Sequence, residues 1–505
     1  MSPDVQETPP SATHASEHAA QIRQTRIDKL DAWREAGMNP YPYHFEKSHS
    51  NAELQAKYAE LETGAETEDR VSVAGRVMAL RNSGMFIDLQ DPSGKIQVFS
   101  HKDHLSPEKA AALKLVDIGD IIGVYGTIRR TPRGELTVKT NDFEILGKSI
   151  LPLPEKFHGL TDVETRYRQR YLDLIMNPES RDTLVKRSRI ISEIRKLLEN
   201  KGFLEVETPM LQTIAGGAAA KPFKTHHNTL DIDMYLRIAP ELYLKRLIVG
   251  GISERVFELN RNFRNEGISP RHNPEFTMIE LYQAYADYND MMDLAEEIFT
   301  TVAQQVLGTL KVSFQGKEID LTPPWPRKTM AECVKEATGI DFNAIQTDEE
   351  ARKIARDLHV EVEDYETWGS VVEQIFEIKV EEKLIQPIHI IDYPREISPL
   401  AKEHRDNPRL VERFETRING WEVSNAFSEL TNPLDQRQRF EDQLAQREHG
   451  DEEAHQMDED YVTALEYGMP PCGGMGIGID RLIMLLTDSA NIRDVIAFPT
   501  LKPKA

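Results

Sequence analysis

The chain has 505 residues, with 84 Asp and Glu against 61 Lys and Arg, a formal net charge of −23. That balance excludes a generally basic nucleic-acid coat, so any contact with a polyanion must come from local patches. The length allows two or three domains around a large core, and two cysteines, Cys333 and Cys472, exclude a disulfide framework and suit a reducing compartment. No apolar run is long enough to span a membrane and the start lacks a signal-peptide pattern, so the expected location is the cytoplasm.

In chain order, Met1–Ala20, with its Pro, Ser, Thr and Glu, reads as a disordered tail, and residues 21–65 as a helical segment whose Ile22–Ala36 stretch ends near Gly37 and Pro40. From Glu66 to Leu151, five runs read as strands (Val71–Leu80, Met85–Leu89, Lys95–Ser100, Ile121–Ile128 and Glu135–Thr140), with a helix-like Pro107–Val116 between the third and fourth. That order suggests an OB β-barrel, a fold that often binds single-stranded nucleic acid by stacking and groove charge. Arg76, Arg129 and Arg130 are candidates for phosphate contacts or plain surface charge. Gly147-Lys148-Ser149 ends like a P-loop, but Asp142 stands where its first glycine would be, so that reading fails.

Residues 152–505 form the second part. Lys186–Asn200 has apolar positions at helical spacing and leads to a strand-like Phe203–Val206 and Pro209; such a helix covers its own sheet or a partner's equally well. Strand-like Val256–Phe263 and Phe276–Tyr285 make a hairpin. Alternation puts Phe257, Leu259 and Phe263 on one face and Glu258, Asn260, Asn262 and Arg264 on the other, while Phe276, Glu280 and Tyr282 share a parity that looks into the space of Arg264. The polar side therefore reads as a binding floor, and the turn-rich loop Gly267–Pro274 adds Arg271 and His272 to hold phosphate. Around residues 315–413, helix-like Ala351–Leu358 and Val371–Leu384 suggest a helical insertion, and His389 reads as a core histidine. Glu415 and Glu422 flank the Asn419-Gly420 turn, where two repelling carboxylates would suit magnesium. Glu422 has the wrong parity to face the space of Asn425, Phe427 and Glu429 unless a bulge intervenes. Last, the glycine-rich Cys472–Gly478 run, which does not fit the dinucleotide-binding spacing, precedes a buried helix with Arg481 in its first turn.

These motifs resemble those of the class II aminoacyl-tRNA synthetases, in particular the bacterial-type branch that acts on lysine. Val206-Glu207-Thr208-Pro209 is similar to the first family motif, Phe263-Arg264-Asn265-Glu266 with Arg271–Phe276 to the second, and Gly476–Arg481 to the third. Arg237–Glu241 and Glu396–Leu400 resemble the linking segments, and the likeness runs from about Arg23 to Pro503. It implies an α+β fold: a class II synthetase-type antiparallel sheet flanked by helices, behind an N-terminal five-stranded OB barrel.

The resemblance also implies L-lysine, ATP and tRNA(Lys) as partners, a homodimer, and magnesium, up to three ions per subunit. Arg264 and Arg481 would be catalytic. Arg264, Glu266, His272, Asn273, Phe276 and Arg481 would bind ATP, Glu415 and Glu422 the metal, and Gly217, Glu241, Arg264, Glu280, Tyr282, Asn425, Phe427 and Glu429 the lysine. Phe86, Gln97 and Glu135 would read the anticodon. Aspartyl and asparaginyl relatives carry an arginine where Glu429 stands, so the inverted charge points to an ammonium substrate. Ser424 and Ala426 depart from the family's glycines, and Gly251–Glu254 carries an extra residue. Two other readings keep the fold: a regulator that binds RNA or a metabolite without the reaction, and an enzyme that ligates lysine to protein. Retention of Arg264, Glu415, Glu422 and Arg481 opposes the first and the barrel opposes the second.

Overall fold

Alternating β-branched and polar residues between Glu66 and Gly147 close into a barrel. In the computed structural model, which describes residues 12–154, 160–448 and 456–503, strands β1 (Glu66–Arg81), β2 (Phe86–Asp91), β3 (Gly94–Phe99), β4 (Ile121–Arg130) and β5 (Leu136–Gly147) pair in the order β1-β2-β3-β5-β4. Only β3 and β5 run parallel. The expected helix sits between β3 and β4 as Pro107–Ala112, started by Pro107 and capped by Ser106, whose side chain accepts from the Lys109 amide. Inward positions such as Val73, Leu89, Val98, Ile122 and Val138 are fully or almost fully buried.

The chain divides into two units, Met1–Gly159 and Leu160–Ala505. Residues 21–65 do not stand apart from the barrel: Trp33, Leu54 and Tyr58 join its core, and Trp33 packs edge-on against Phe143 at 6.3 Å. The first helix spans Ala12–Glu35, so the expectation of disorder is corrected for residues 12–20, where four alanines favour the helix; Met1–Ser11 lie outside the described residues. Arg76 donates to the Gly119 carbonyl and Arg130 to those of Gly134 and Tyr58, which makes both internal braces instead of phosphate contacts.

The central sheet of the second unit has nine strands. Across it run Arg327–Thr329, Ile388–Pro394, Asn407–Ile418, Trp421–Ser428, Cys472–Gly478, Glu275–Ala284, Arg255–Phe263 and Leu204–Glu205, with Glu403–His404 paired beside Asn407–Ile418. All central pairings are antiparallel, and parallel pairing occurs only at the two ends. The helix Pro178–Asn200 buries Ile190, Ile194 and Leu198 in its own unit's core, as does Tyr288–Leu307 through Met291, Ile298 and Phe299. The helical insertion is narrower than expected. Its helices are Met330–Thr338, Asp348–Asp357 and Trp368–Lys379, whereas the β-branched run at Ile388 and the chain through Arg413 belong to the central sheet. His389 is fully buried with Nδ1 3.0 Å from Thr416 Oγ1, a core histidine as read.

Lys148, at the end of the rejected P-loop, is structural. Its side chain is wholly buried, with Nζ 2.5 Å from Asp117 and 2.9 Å from Asp120. Lys148→Met should leave the fully buried Asp120 without its cation, while Asp117 keeps Lys29 at 2.6 Å, and cost about 3–5 kcal/mol, the usual penalty for breaking a buried pair; denaturant unfolding of the full chain measures it, and a loss within about 0.5 kcal/mol would refute the role.

Candidate functional site

A glycine-rich strand leaves a trough in the side-chain layer of the sheet. Cys472–Gly478 lies between Glu275–Ala284 and Trp421–Ser428, with Gly474 opposite Tyr282 and Phe427 and Gly476 opposite Glu280 and Asn425. A methyl group on Gly474 would lie 1.9 Å from Glu429 Oε1 and 2.5 Å from the Tyr282 ring. Gly217, at φ +90°, closes another wall, where a Cβ would meet that of Glu241 at 2.9 Å. Above these strands is a cavity of about 410 Å³, and every catalytic, nucleotide, metal and amino-acid candidate of the second unit lines it. Arg264, Glu266, His272, Asn273 and Phe276 come from the hairpin tip, Glu415, Glu422, Asn425, Phe427 and Glu429 from the next hairpin, and Arg481 from the helix after the glycines.

Glu422 reaches the cavity through the bulge that its parity demanded. Glu415 pairs with Asn425 and Thr416 with Ser424, but Arg417 pairs with Glu422, so Val423 is the extra residue and the strand changes face there. Ser424 and Ala426 are accommodated: Ser424 Oγ donates to Thr416 Oγ1 at 2.6 Å and Ala426 is fully buried.

Charge is sorted along the cavity. Phe276, Met278, Glu280 and Tyr282 succeed one another along one strand face, a span of about 20 Å from the first to the last at the usual strand rise. At the Phe276 end, the Arg264 guanidinium lies 5.1 Å from the ring centroid and its buried Nε has no hydrogen-bond partner. Arg481 donates to the Glu422 carbonyl at 2.7 Å and to His272 Nε2 at 3.1 Å. Burial, then the guanidinium groups of Arg481, Arg271 and Arg264, hold His272 below the usual imidazole range, so it is a neutral acceptor near neutrality.

At the Tyr282 end, Glu241, Glu280 and Glu429 are buried. Burial pushes the Glu280 carboxyl well up, and neighbouring Glu241 adds to the shift. Burial also raises Glu241 and Glu429, against the opposing ammonium of Lys245. Tyr282 donates to Glu280 at 3.2 Å.

The acidic pair is asymmetric. Glu415 accepts from Arg413 at 2.6 Å and from Arg417, and although burial works to raise its carboxyl, those two cations outweigh it and hold it low. Glu422 is partly exposed and lies 3.4 Å from Arg481. Among the described residues no group of three or more His, Cys, Asp or Glu forms a metal cage. Two carboxylates on one cavity wall nevertheless fit magnesium, which takes few protein ligands and completes its shell with water and phosphate.

Three expectations shift. Asn260 and Asn262 are buried outside the cavity, and Glu258 is taken by Arg237 and Thr208, each at 2.7 Å, so the floor begins only at Arg264 on that strand. Asn273 lines the cavity, but its side chain donates to the Glu275 carbonyl and accepts from the Thr500 amide, bracing the loop. Arg413, which binds both Asn425 and Glu415, was not singled out; its place one alternation before Glu415 on the same strand was the available signal.

On the barrel, Phe86 pairs with Phe99 across β2 and β3, and their rings are 5.2 Å apart on the outer face. Gln97 lies on that face and accepts from Thr137, while Glu135 is exposed at the turn before β5. Phe99, with the Arg129 guanidinium 5.1 Å from its centroid and His101 6.0 Å away, was missed; its parity with Gln97 would have revealed it.

Comparison with known proteins agrees with this geometry. The family of class II tRNA synthetases (D, K and N) matches residues 162–502, and the OB-fold nucleic acid binding domain matches residues 71–146. The chain is 56% identical over 493 residues to a lysine–tRNA ligase of Rhizobium meliloti (strain 1021), covering 98% of this chain and 99% of that one. It is 57% identical to the lysine–tRNA ligase of Nostoc sp. (strain PCC 7120 / SAG 25.82 / UTEX 2576), covering 96% and 88%, and 56% identical to that of Carboxydothermus hydrogenoformans (strain ATCC BAA-161 / DSM 6008 / Z-2901), covering 96% and 98%. With a cavity of the expected composition and matches along nearly its whole length, the chain belongs to the class II tRNA synthetase family, among the lysine–tRNA ligases.

Proposed function

We infer that the protein condenses L-lysine with ATP to lysyl-adenylate and pyrophosphate, then transfers lysine to the 3′ end of tRNA(Lys) and releases AMP. The observation that carries this reading is the polarity of one cavity, with buried carboxylates at the Tyr282 end and guanidinium groups at the Phe276 end. A lysine carboxylate is already ionised near neutrality, so its attack on the α-phosphorus needs no strong base, only alignment and relief of charge repulsion.

Arg264 bridges the amino-acid carboxylate and the α-phosphate. Phe276 stacks on adenine, Glu266 and His272 contact the nucleotide, Asn273 holds their loop, and Arg481 holds the far end of the triphosphate. Glu415 and Glu422 suit magnesium, which when bound supplies charge neutralisation on the phosphates. Glu241 and the backbone at Gly217 take the α-amino group. Glu429, Glu280 and Tyr282 receive the ε-ammonium, with Asn425 and Phe427 shaping the pocket; an uncharged analogue would leave buried acceptors unpaired. The terminal adenosine hydroxyl then attacks the mixed anhydride.

The outer face at Phe86, Gln97, Phe99 and Glu135 supports anticodon reading by stacking and base-edge contacts. Exposed Leu204, Met210 and Leu211, with Leu204–Glu205 at the sheet's end, support a homodimer through this face. Free, buried Cys333 and Cys472 fit a reducing cytoplasm, and no helix among the described residues is long and apolar enough to cross a membrane.

ATP–pyrophosphate exchange across the twenty amino acids should respond to lysine and should fall to background in Arg264→Ala; near-normal exchange in that variant would refute the central role. Glu429→Gln should lose at least about a hundredfold in kcat/KM for lysine while keeping its KM for ATP, since one partner of a buried charge pair is removed. Retained lysine selectivity would contradict the pocket. Phe99→Ala should raise KM for tRNA about fivefold or more, from the ~1–3 kcal/mol of one base–aromatic stack, and spare adenylate formation; an unchanged charging rate would remove Phe99 from the RNA face.

A further inference from the structure

Behind the amino-acid pocket the chain has buried a lysine of its own. Lys245 lies on the helix Glu241–Val249 one turn after Glu241, and its side chain is completely shielded from solvent. Its Nζ is 2.5 Å from Glu241 Oε1 and in ion-pair contact with Glu429 Oε2. Phe427, Tyr282 and Tyr461 surround it, with ring centroids at 5.3, 5.9 and 6.0 Å. Lys245 does not itself line the cavity, whereas Glu241, Glu429, Tyr282 and Phe427 do. The second oxygen of Glu429, Oε1, has no hydrogen-bond partner and lies where Gly474 lacks a side chain.

This arrangement sets both charge and direction. Lys245 lies between Glu241 and Glu429 and offsets one of their two negative charges. Holding Glu429 by Oε2 also fixes which oxygen faces the ligand. Without that cation, like carboxylates buried together cannot all stay ionised, and one takes up a proton. A protonated Glu429 would hold an ammonium poorly.

We propose that Lys245 is a specificity-determining positioning residue, which keeps Glu429 charged and turns its free oxygen toward the ε-ammonium of the amino-acid substrate. The proposal rests on the lysine reading above. The charged and titratable groups facing Glu429 are Lys245 and Glu241 on one helix, Tyr461 on the helix Glu459–Glu466, Tyr282 on the neighbouring strand, which donates to Glu280, and Cys472 at the start of the glycine strand.

The test is lysine-dependent ATP–pyrophosphate exchange by full-length Lys245→Met from pH 7 to pH 9, beside the unaltered protein, with Lys245→Gln as the second variant should the first fail to fold. At pH 7, KM for lysine should rise at least tenfold while KM for ATP stays within twofold. As pH rises toward 9 the variant's KM for lysine should recover, because deprotonation restores the Glu429 charge while free lysine keeps its ε-ammonium. A lysine KM within twofold of the unaltered protein's at pH 7 would overturn the proposal. So would a parallel loss for lysine and ATP with no recovery at high pH, the signature of a merely structural pair. Absence of lysine-dependent exchange in the unaltered protein would instead overturn the functional reading itself.

Discussion

Three carboxylates within one closed pocket are stable only if positive charge is placed among them, and the rest of the catalytic unit is arranged around that constraint. Moving one charge out of water costs several kcal/mol even after relaxation. Glu241 and Glu429 are compensated by Lys245, whereas Glu280 has Tyr282 as its hydrogen-bond donor. A pocket of this kind favours a ligand that brings two ammonium groups and a carboxylate, because each group meets an opposite charge already fixed by the sheet, the helix Glu241–Val249 or the loop at Arg264. Selectivity then follows from the same electrostatics as binding. A neutral side chain of equal length would occupy the space and leave the acids without a partner.

Much of this was legible because strands report their faces directly. The alternation of Phe276, Glu280 and Tyr282 placed three side chains in one space, and the cavity contains all three. The parity conflict at Glu422 required a bulge, and the register shift at Val423 supplies it. In both cases a period of two residues left little freedom. The barrel was read on the same principle, and all five of its strands appear, although the first begins at Glu66 instead of Val71 and the fifth runs on from Thr140 to Gly147.

What was missed depended on which neighbour a side chain meets. Glu241 and Lys245 stand four apart on a helix, a spacing that ordinarily marks a solvated surface pair. Only the packing of the helices Glu241–Val249 and Glu459–Glu466 together with the segment that follows the strand Trp421–Ser428 turns that pair inward. Arg76 and Arg130 show the converse: their charge suggested an RNA surface, but nearby backbone carbonyls consume it. The N-terminal helix was read too short because Pro and Thr at the start of the tail masked the alanine-rich residues that follow.

The cavity itself arises from what one strand lacks. Nearly all side chains of the central sheet that face this way are large, and two adjacent strands carrying them would fill the layer. Gly474 and Gly476 interrupt it at alternate positions, so Tyr282 and Phe427 lean over one gap and Glu280 and Asn425 flank the other. Because a Cβ at Gly474 would collide with both Glu429 and Tyr282, the glycine there determines where the carboxylate can sit. The same bare backbone lets the chain pass directly from the acidic end of the pocket into the helix Ile479–Leu486, whose first turn delivers Arg481 to the guanidinium-rich end. One short strand thereby sets the distance between the two charged ends that the reaction must join.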